Sequence, residues 1–317
     1  MSKIYYFCPD YTMPSGGTRT IYRHVAQLNR KGFNAAVVHR KRGFNLDWLD
    51  IEVPVVYLDD SPPITGDDVL VFAEGLAPYM KVMHKLQATQ IVLALNWVTI
   101  YPGLPEGESW RDYGIQHVIT PSKVVQRFVQ WSMGLPTTLI EECVDPGTYA
   151  HQPDRKQAKI SFMTRKDRFG EVLHRILKDK EAVFGGYEWI PLLDMTEKEY
   201  AAQLAESAIY LTSGTQEGLH VSVLEAMACG CVVVGFTGIG GSDYMVGEGP
   251  GQNCYLVENG NYPELGKVLE RMIREREEDP GCHERVIRNG LATVAHYQDC
   301  EKEAADLVAF YEELGGG

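Results

Sequence analysis

Short apolar runs of strand length alternate with stretches of helical periodicity along the whole chain, and this alternation restricts the fold more than any other feature. The segment Lys3-Ile-Tyr-Tyr-Phe-Cys8 reads as a strand from its aromatic and β-branched content. A turn-rich stretch follows, and then Ile21, Val25 and Leu28 recur at helical spacing, with Arg19, Arg23, Gln27 and Arg30 between them. Gly32 closes that helix, and Ala35-Ala-Val-Val38 reads as the next strand. A helix between two nearby strands carries the chain back to start the second strand in the same direction, so the unit is βαβ and the sheet parallel.

The same reading continues along residues 1–145. It predicts strands over 53–58, 69–72, 91–95, 117–120 and 138–140. Helices are predicted over 77–86 and 123–133, the second capped by Ser122. Residues 145–159 turn polar, with Pro146, Gly147, Pro153 and the charged run Asp154-Arg155-Lys156, as expected of a linker. A second series then predicts strands over 160–163, 182–184, 209–212, 231–236 and 254–257. Its helices fall at 169–177, 197–204, 221–228 and 263–277, and a largely helical tail spans 284–314. The expected organisation is a first α/β domain over 1–145, a second over 146–295, and a terminal helix at 296–317 returning to the first. Two such domains place a ligand beside the carboxyl ends of their strands, an architecture that suits a dehydrogenase equally well.

Composition narrows the function classes. At 317 residues, 44% of them hydrophobic, the chain can bury a core without staples. No apolar run approaches the roughly 18–20 residues that span a bilayer, and Pro9 and Asp10 interrupt the first run too early for a signal peptide. Seven scattered cysteines include no Cys-x-x-Cys pair, and Cys229 and Cys231 flank a glycine in a poor arrangement for zinc. Reduced thiols and a cytoplasmic location are the expectation. A net charge of −13 argues against a nucleic-acid partner. Residues 1–50 nevertheless hold eight bases against three acids, which allows at most a peripheral contact with an anionic membrane surface or acceptor.

The most informative stretch is Thr212-Ser-Gly-Thr-Gln-Glu217-Gly-Leu-His-Val-Ser-Val-Leu-Glu225-Ala-Met-Ala-Cys-Gly230. It runs from a strand through a loop into a helix whose apolar face carries Val221, Leu224 and Met227. Unpaired N–H groups and the positive end of the helix dipole make such a loop a natural anion site. Gly214 and Gly218 allow close backbone approach. Carboxylates at Glu217 and Glu225 could accept hydrogen bonds from hydroxyls at the two ends of a bound diphosphate.

This run resembles the Glu-x7-Glu signature of the glycogen-synthase-like retaining glycosyltransferases of family 4, including Leu-Glu-Ala-Met-Ala-x-Gly and the following Val232-Val-Val234 strand. The resemblance implies a GT-B fold, two Rossmann-like lobes with parallel sheets facing across a cleft, the first on the acceptor side and the second binding a nucleotide-sugar. It implies hexosyl or related transfer from a UDP- or GDP-linked sugar, with retention, to an unidentified glycan, lipid-linked or small-molecule acceptor. Glu217 is then expected at the donor sugar, Glu225 at the ribose, and the backbone amides of Gly218, Leu219 and His220 at the diphosphate or sugar. The turn holding Gly16 and Gly17 resembles the family's double-glycine loop, and Arg165 and Lys166 in Ile160-Ser-Phe-Met-Thr-Arg-Lys166 resemble its phosphate-binding cations. With those cations neutralising the leaving group, neither metal nor cofactor is expected. Many members carry a His where this chain has Asn96, which becomes a candidate acceptor or sugar contact together with Glu74. Two other readings share the scaffold: a catalytically silent nucleotide-sugar binder or partner-supporting protein, and a nucleotide-sugar epimerase.

Overall fold

The computed structural model describes residues 2–164, 168–180 and 186–315. Internal contacts divide the chain into two compact units, the first made of Met1–Glu142 with Cys300–Gly317 and the second of Cys143–Asp299.

The first unit begins with β1 (Ile4–Phe7), α1 (Gly16–Arg30), β2 (Ala35–His39), β3 (Val55–Tyr57) and β4 (Val69–Ala73). It continues through α2 (Ala77–Met83), β5 (Thr89–Leu93), α3 (Trp97–Ile100), β6 (His117–Thr120), α4 (Lys123–Met133) and β7 (Thr137–Leu139). The seven strands form one sheet in the order β3-β2-β1-β4-β5-β6-β7, with every pairing parallel. Successive residues of β1 enter opposite faces, Ile4 and Tyr6 one core and Tyr5 and Phe7 the other. A sheet covered on both faces needs strands that are apolar throughout, which is why β1 and β2 are plain in the sequence. α1 buries the stripe Ile21, Val25 and Leu28 against this sheet.

The second unit holds β8 (Gln157–Met163), α5 (Phe169–Lys180), β9 (Glu188–Leu192), α6 (Glu197–Glu206), β10 (Ser207–Thr212) and α7 (Val221–Ala228). Beyond these come β11 (Val232–Gly235), β12 (Tyr255–Leu256), α8 (Tyr262–Glu278) and α9 (Glu284–Ala295). Its sheet runs β12-β11-β10-β8-β9 and is again wholly parallel. Ile209 and Leu211 of β10 enter one core and Tyr210 the other.

The last helix, α10 (Cys300–Gly315), belongs to the first unit. Glu303, fully buried on it, accepts from Arg23 Nε and Nη2 of α1 at 2.9–3.2 Å and from Gln27 Nε2 at 2.8 Å. Such pairing is what lets a carboxylate sit in a core.

Several boundaries differ from the sequence reading. The strand expected over 53–58 is limited to Val55–Tyr57, and Leu58–Asp60 forms a 3-10 turn. The helix expected over 77–86 ends at Met83 and tightens into a second 3-10 turn, His84–Leu86. The strand expected over 182–184 lies outside the described residues, and β9 was not foreseen.

One chemical expectation is also corrected. Cys143 and Cys300 are disulfide-bonded, whereas Cys8, Cys229, Cys231 and Cys254 are buried free thiols and Cys282 an exposed one. The basic excess of residues 1–50 is partly met by acids from elsewhere in the same unit. Arg23 pairs with Glu142 and Glu303, Arg30 and Lys31 with Glu301, and Arg42 with Asp60. Among the described residues no helix is long and apolar enough to cross a membrane.

Candidate functional site

In the second sheet the strand order reverses between β8 and β10, the first and third strands of that unit. Open parallel sheets bind ligands in the crevice beyond the carboxyl ends at such a reversal. Here those ends are Met163 and Thr212. The segment leaving Thr212 is the motif that the sequence reading singled out, and it runs through Glu217 and His220 into α7.

His220 is the residue immediately before α7 and adopts a left-handed conformation, φ 62°. Its side chain holds two loops together. Nδ1 lies 3.0 Å from the carbonyl of Thr237, and Nε2 lies 2.9 Å from the Thr212 hydroxyl. A carbonyl cannot donate, so Nδ1 carries the proton, and in the neutral ring Nε2 accepts from Thr212. The His220 carbonyl in turn accepts from the Tyr244 hydroxyl at 2.8 Å. Ring and backbone are both fixed by the protein, so the helix entrance is set before any ligand arrives.

Glu217 is half-buried and pairs along the backbone with the segment after β11. Its amide donates to Gly238 O at 2.7 Å, and Gly238 N donates to Asn259 Oδ1 at 3.2 Å. Two glycines make room for the acid. A Cβ on Gly214 would stand 2.8 Å from Glu217 Oε1. At Gly238, where φ is +61°, it would stand 2.7 Å from Glu217 Cγ. The carboxyl group therefore lies over Gly214, with the Gly238 turn against its stem. Gly218 and Leu219, next in the loop, are buried.

Glu225 sits inside α7 and is only 2% exposed. The Tyr200 hydroxyl, from α6, donates to its Oε2 at 2.9 Å. Burial first, and then the neighbouring Glu225 charge, hold the Tyr200 phenol well above its ordinary pKa, so it stays a donor.

The first unit has its own reversal, between β1 and β4. Gly16 and Gly17 lie after β1 and form the opening turn of α1 itself, following Ser15, which makes no side-chain cap. Glu74 follows β4, is buried, and accepts from Leu95 N at 3.2 Å, Asn96 N at 3.0 Å and Thr99 Oγ1 at 2.8 Å. Desolvation raises its pKa, and those hydrogen bonds offset part of the rise. Asn96 caps α3, its Oδ1 accepting from Val98 N at 3.1 Å. Both candidate contacts are thus engaged in shaping one turn.

Arg165 and Lys166, the expected phosphate-binding cations, lie outside the described residues. Among the described residues no three His, Cys, Asp or Glu side chains gather as metal ligands would. Sequence reasoning missed Tyr200, Tyr244 and the 237–241 turn. The last left a legible trace, Thr237-Gly-Ile-Gly-Gly241 directly after a strand. Tyr200 left none, since a tyrosine on an amphipathic helix reads as core, and Tyr244 lies in a turn with no motif around it.

Known proteins resemble this chain in part of its sequence and in its fold. Residues 155–275 match the family model described as Glycosyl transferases group 1. An alpha-1,6-glucosyltransferase of Actinobacillus pleuropneumoniae serotype 7 is 23% identical over 243 residues, covering 74% of this chain and 72% of the relative. Among solved structures, sucrose-phosphate synthase from Thermosynechococcus elongatus superposes with a TM-score of 0.76 at 12% identity, with full coverage of both chains. Anabaena HepE in complex with UDP and glucose gives 0.69 at 16% identity, also with full coverage of both. The two parallel sheets, of seven and five strands, are those of the GT-B fold.

Proposed function

We propose that the chain is a glycosyltransferase that binds a nucleotide-diphosphate sugar in its second unit and transfers the sugar with retention and without a metal ion. The observation that carries this reading is the position of Glu217, the His220-fixed helix entrance and Glu225, in sequence, at the strand-order reversal of that unit. The family-model match over the same unit supports it, as does the relative named as a glucosyltransferase. UDP-glucose is the first donor to test, because HepE was solved with UDP and glucose. The first unit would take the acceptor.

In this reading the N–H groups entering α7 meet the diphosphate, and Glu225 accepts from the ribose hydroxyls. Glu217 accepts from the donor sugar and stabilises the positive charge that develops at its anomeric carbon. The bond from that carbon to the diphosphate oxygen breaks. The acceptor oxygen bonds to the carbon on the same face, and its proton passes to the departing diphosphate. Arg165, from the resemblance, would offset the charge of the leaving group, which is the role a divalent metal would otherwise fill.

The test is a panel of nucleotide-sugars incubated with and without EDTA, following free nucleotide and the anomeric configuration of the product. One donor is expected to be turned over, unaffected by chelator, with retention, and Glu217→Ala is expected to abolish turnover. Donor binding without turnover across a broad acceptor panel would replace the transferase reading with that of a silent binder. An isomerised nucleotide-sugar would replace it with an epimerase.

A further inference from the structure

The Tyr200–Glu225 pair has a chemical consequence beyond holding a helix. A carboxylate accepts hydrogen bonds and donates none, and its two oxygens offer about four lone-pair sites. At 2% exposure Glu225 has lost nearly all its water, so its rotamer depends on donors supplied by the protein. One is the Tyr200 hydroxyl, 2.9 Å from Oε2. That donor comes from α6, a different element, whose start is locked by a reciprocal cap between Thr196 and Glu199. The Tyr200 ring packs edge-on against Tyr149, centroids 6.2 Å apart, and the Tyr149 hydroxyl donates to Glu197 Oε1 of the same helix at 3.3 Å. The phenol is therefore placed by helix and ring packing, independently of any ligand. With Oε2 held by the Tyr200 hydroxyl, the carboxylate is presented in one orientation.

We propose that Tyr200 is a positioning residue that orients Glu225 toward the ribose diol, and that the protein's preference for a ribonucleotide over a deoxyribonucleotide donor depends on this phenol. The inference rests on the reading of Glu225 as the ribose-binding acid. It predicts an effect specific to the sugar hydroxyls of the nucleotide. Loss of the phenol alone leaves the diphosphate contacts at the α7 entrance in place.

The experiment is calorimetric titration of UDP, 2′-deoxy-UDP and 3′-deoxy-UDP, with the GDP series in parallel, against wild type and Tyr200→Phe. The wild type is expected to bind the ribonucleotide about ten- to a hundredfold more tightly than either deoxy form, the range for a hydrogen bond to a charged group. Tyr200→Phe should lose most of that ratio while its affinity for the deoxy forms stays within about twofold, with a lowered thermal midpoint because the buried Glu225 loses a donor. Tyr200→His, which keeps a ring and an N–H donor, should retain about half of the discrimination on a logarithmic scale. Full discrimination in Tyr200→Phe, or equal weakening of ribo and deoxy forms, overturns the proposal. So does a His variant indistinguishable from the Phe variant. A wild type that binds all three nucleotides equally overturns the reading of Glu225 itself, a result distinct from the others because it needs no variant.

Discussion

The imidazole of His220 donates through Nδ1 to the carbonyl of Thr237, 3.0 Å away, and so ties the entrance of α7 to the turn that follows β11. Its other nitrogen faces the Thr212 hydroxyl at the end of β10. One ring thus fixes the distance between two consecutive strand ends of the second sheet. His220→Ala leaves a buried hydroxyl and a buried carbonyl without this partner. The expected cost is about 2–3 kcal/mol, read as a shift in denaturant midpoint, together with a several-fold rise in KM for the donor. A variant as stable as wild type contradicts the role.

Gly238 answers a different question, whether the carboxyl position of Glu217 matters. A methyl group there adopts a left-handed backbone at a cost of about 1–2 kcal/mol and collides with Glu217 Cγ. Gly238→Ala is therefore expected to lower kcat for donor turnover at least tenfold, a larger effect than its modest destabilisation explains. Unchanged kcat in a folded variant would mean that the turn does not set the acid.

Glu303 is the buried acid on which α10 depends. Arg23 faces two carboxylates, Glu303 and Glu142, and is exposed by only 15% at its side chain. Breaking a buried pair from one side costs about 3–5 kcal/mol. Glu303→Ala should show that loss in equilibrium unfolding of the first unit, and Glu303→Gln, which keeps an acceptor for Arg23, a smaller one.

Acid sensitivity should arise at His24, which is buried, lies 3.8 Å from Glu303 and sits beside Arg23. Burial first, then the Arg23 charge, lower its pKa from 6.5 to about 3. Between those values the unfolded chain binds a proton that the folded chain refuses. The stabilisation is complete above about pH 6.5 and is lost as pH falls toward about 3, at up to about 1.4 kcal/mol per pH unit. Chemical denaturation across that window should show a shallower slope in His24→Asn than in wild type. Identical slopes would place the sensitivity elsewhere.

What the sequence made legible follows from burial. β1, β2 and β10 are covered on both faces, so their composition alone marks them, and α7 begins and ends where its apolar face predicts. β9 escaped because it is an edge strand, half-buried, with Pro191 inside it, and such strands lack a continuous apolar run. The disulfide-bonded Cys143 and Cys300 are separated by about half of the chain, so no local spacing could mark them. In the candidate site, Glu217 and Glu225 were singled out by the resemblance of the whole run that carries them. Their supports, Gly238 and Tyr200, come from other elements, and only the fold brings them near.

The central claim is that the α7 entrance and its two glutamates form a nucleotide-diphosphate site. Calorimetric titration of UDP and GDP into wild type, Glu217→Ala and Glu225→Ala tests it most directly. One nucleotide is expected to bind the wild type, with affinity reduced at least tenfold in Glu225→Ala and only slightly in Glu217→Ala, whose partner is the sugar. Absence of binding by either nucleotide, or binding that Glu225→Ala leaves untouched, would contradict the account.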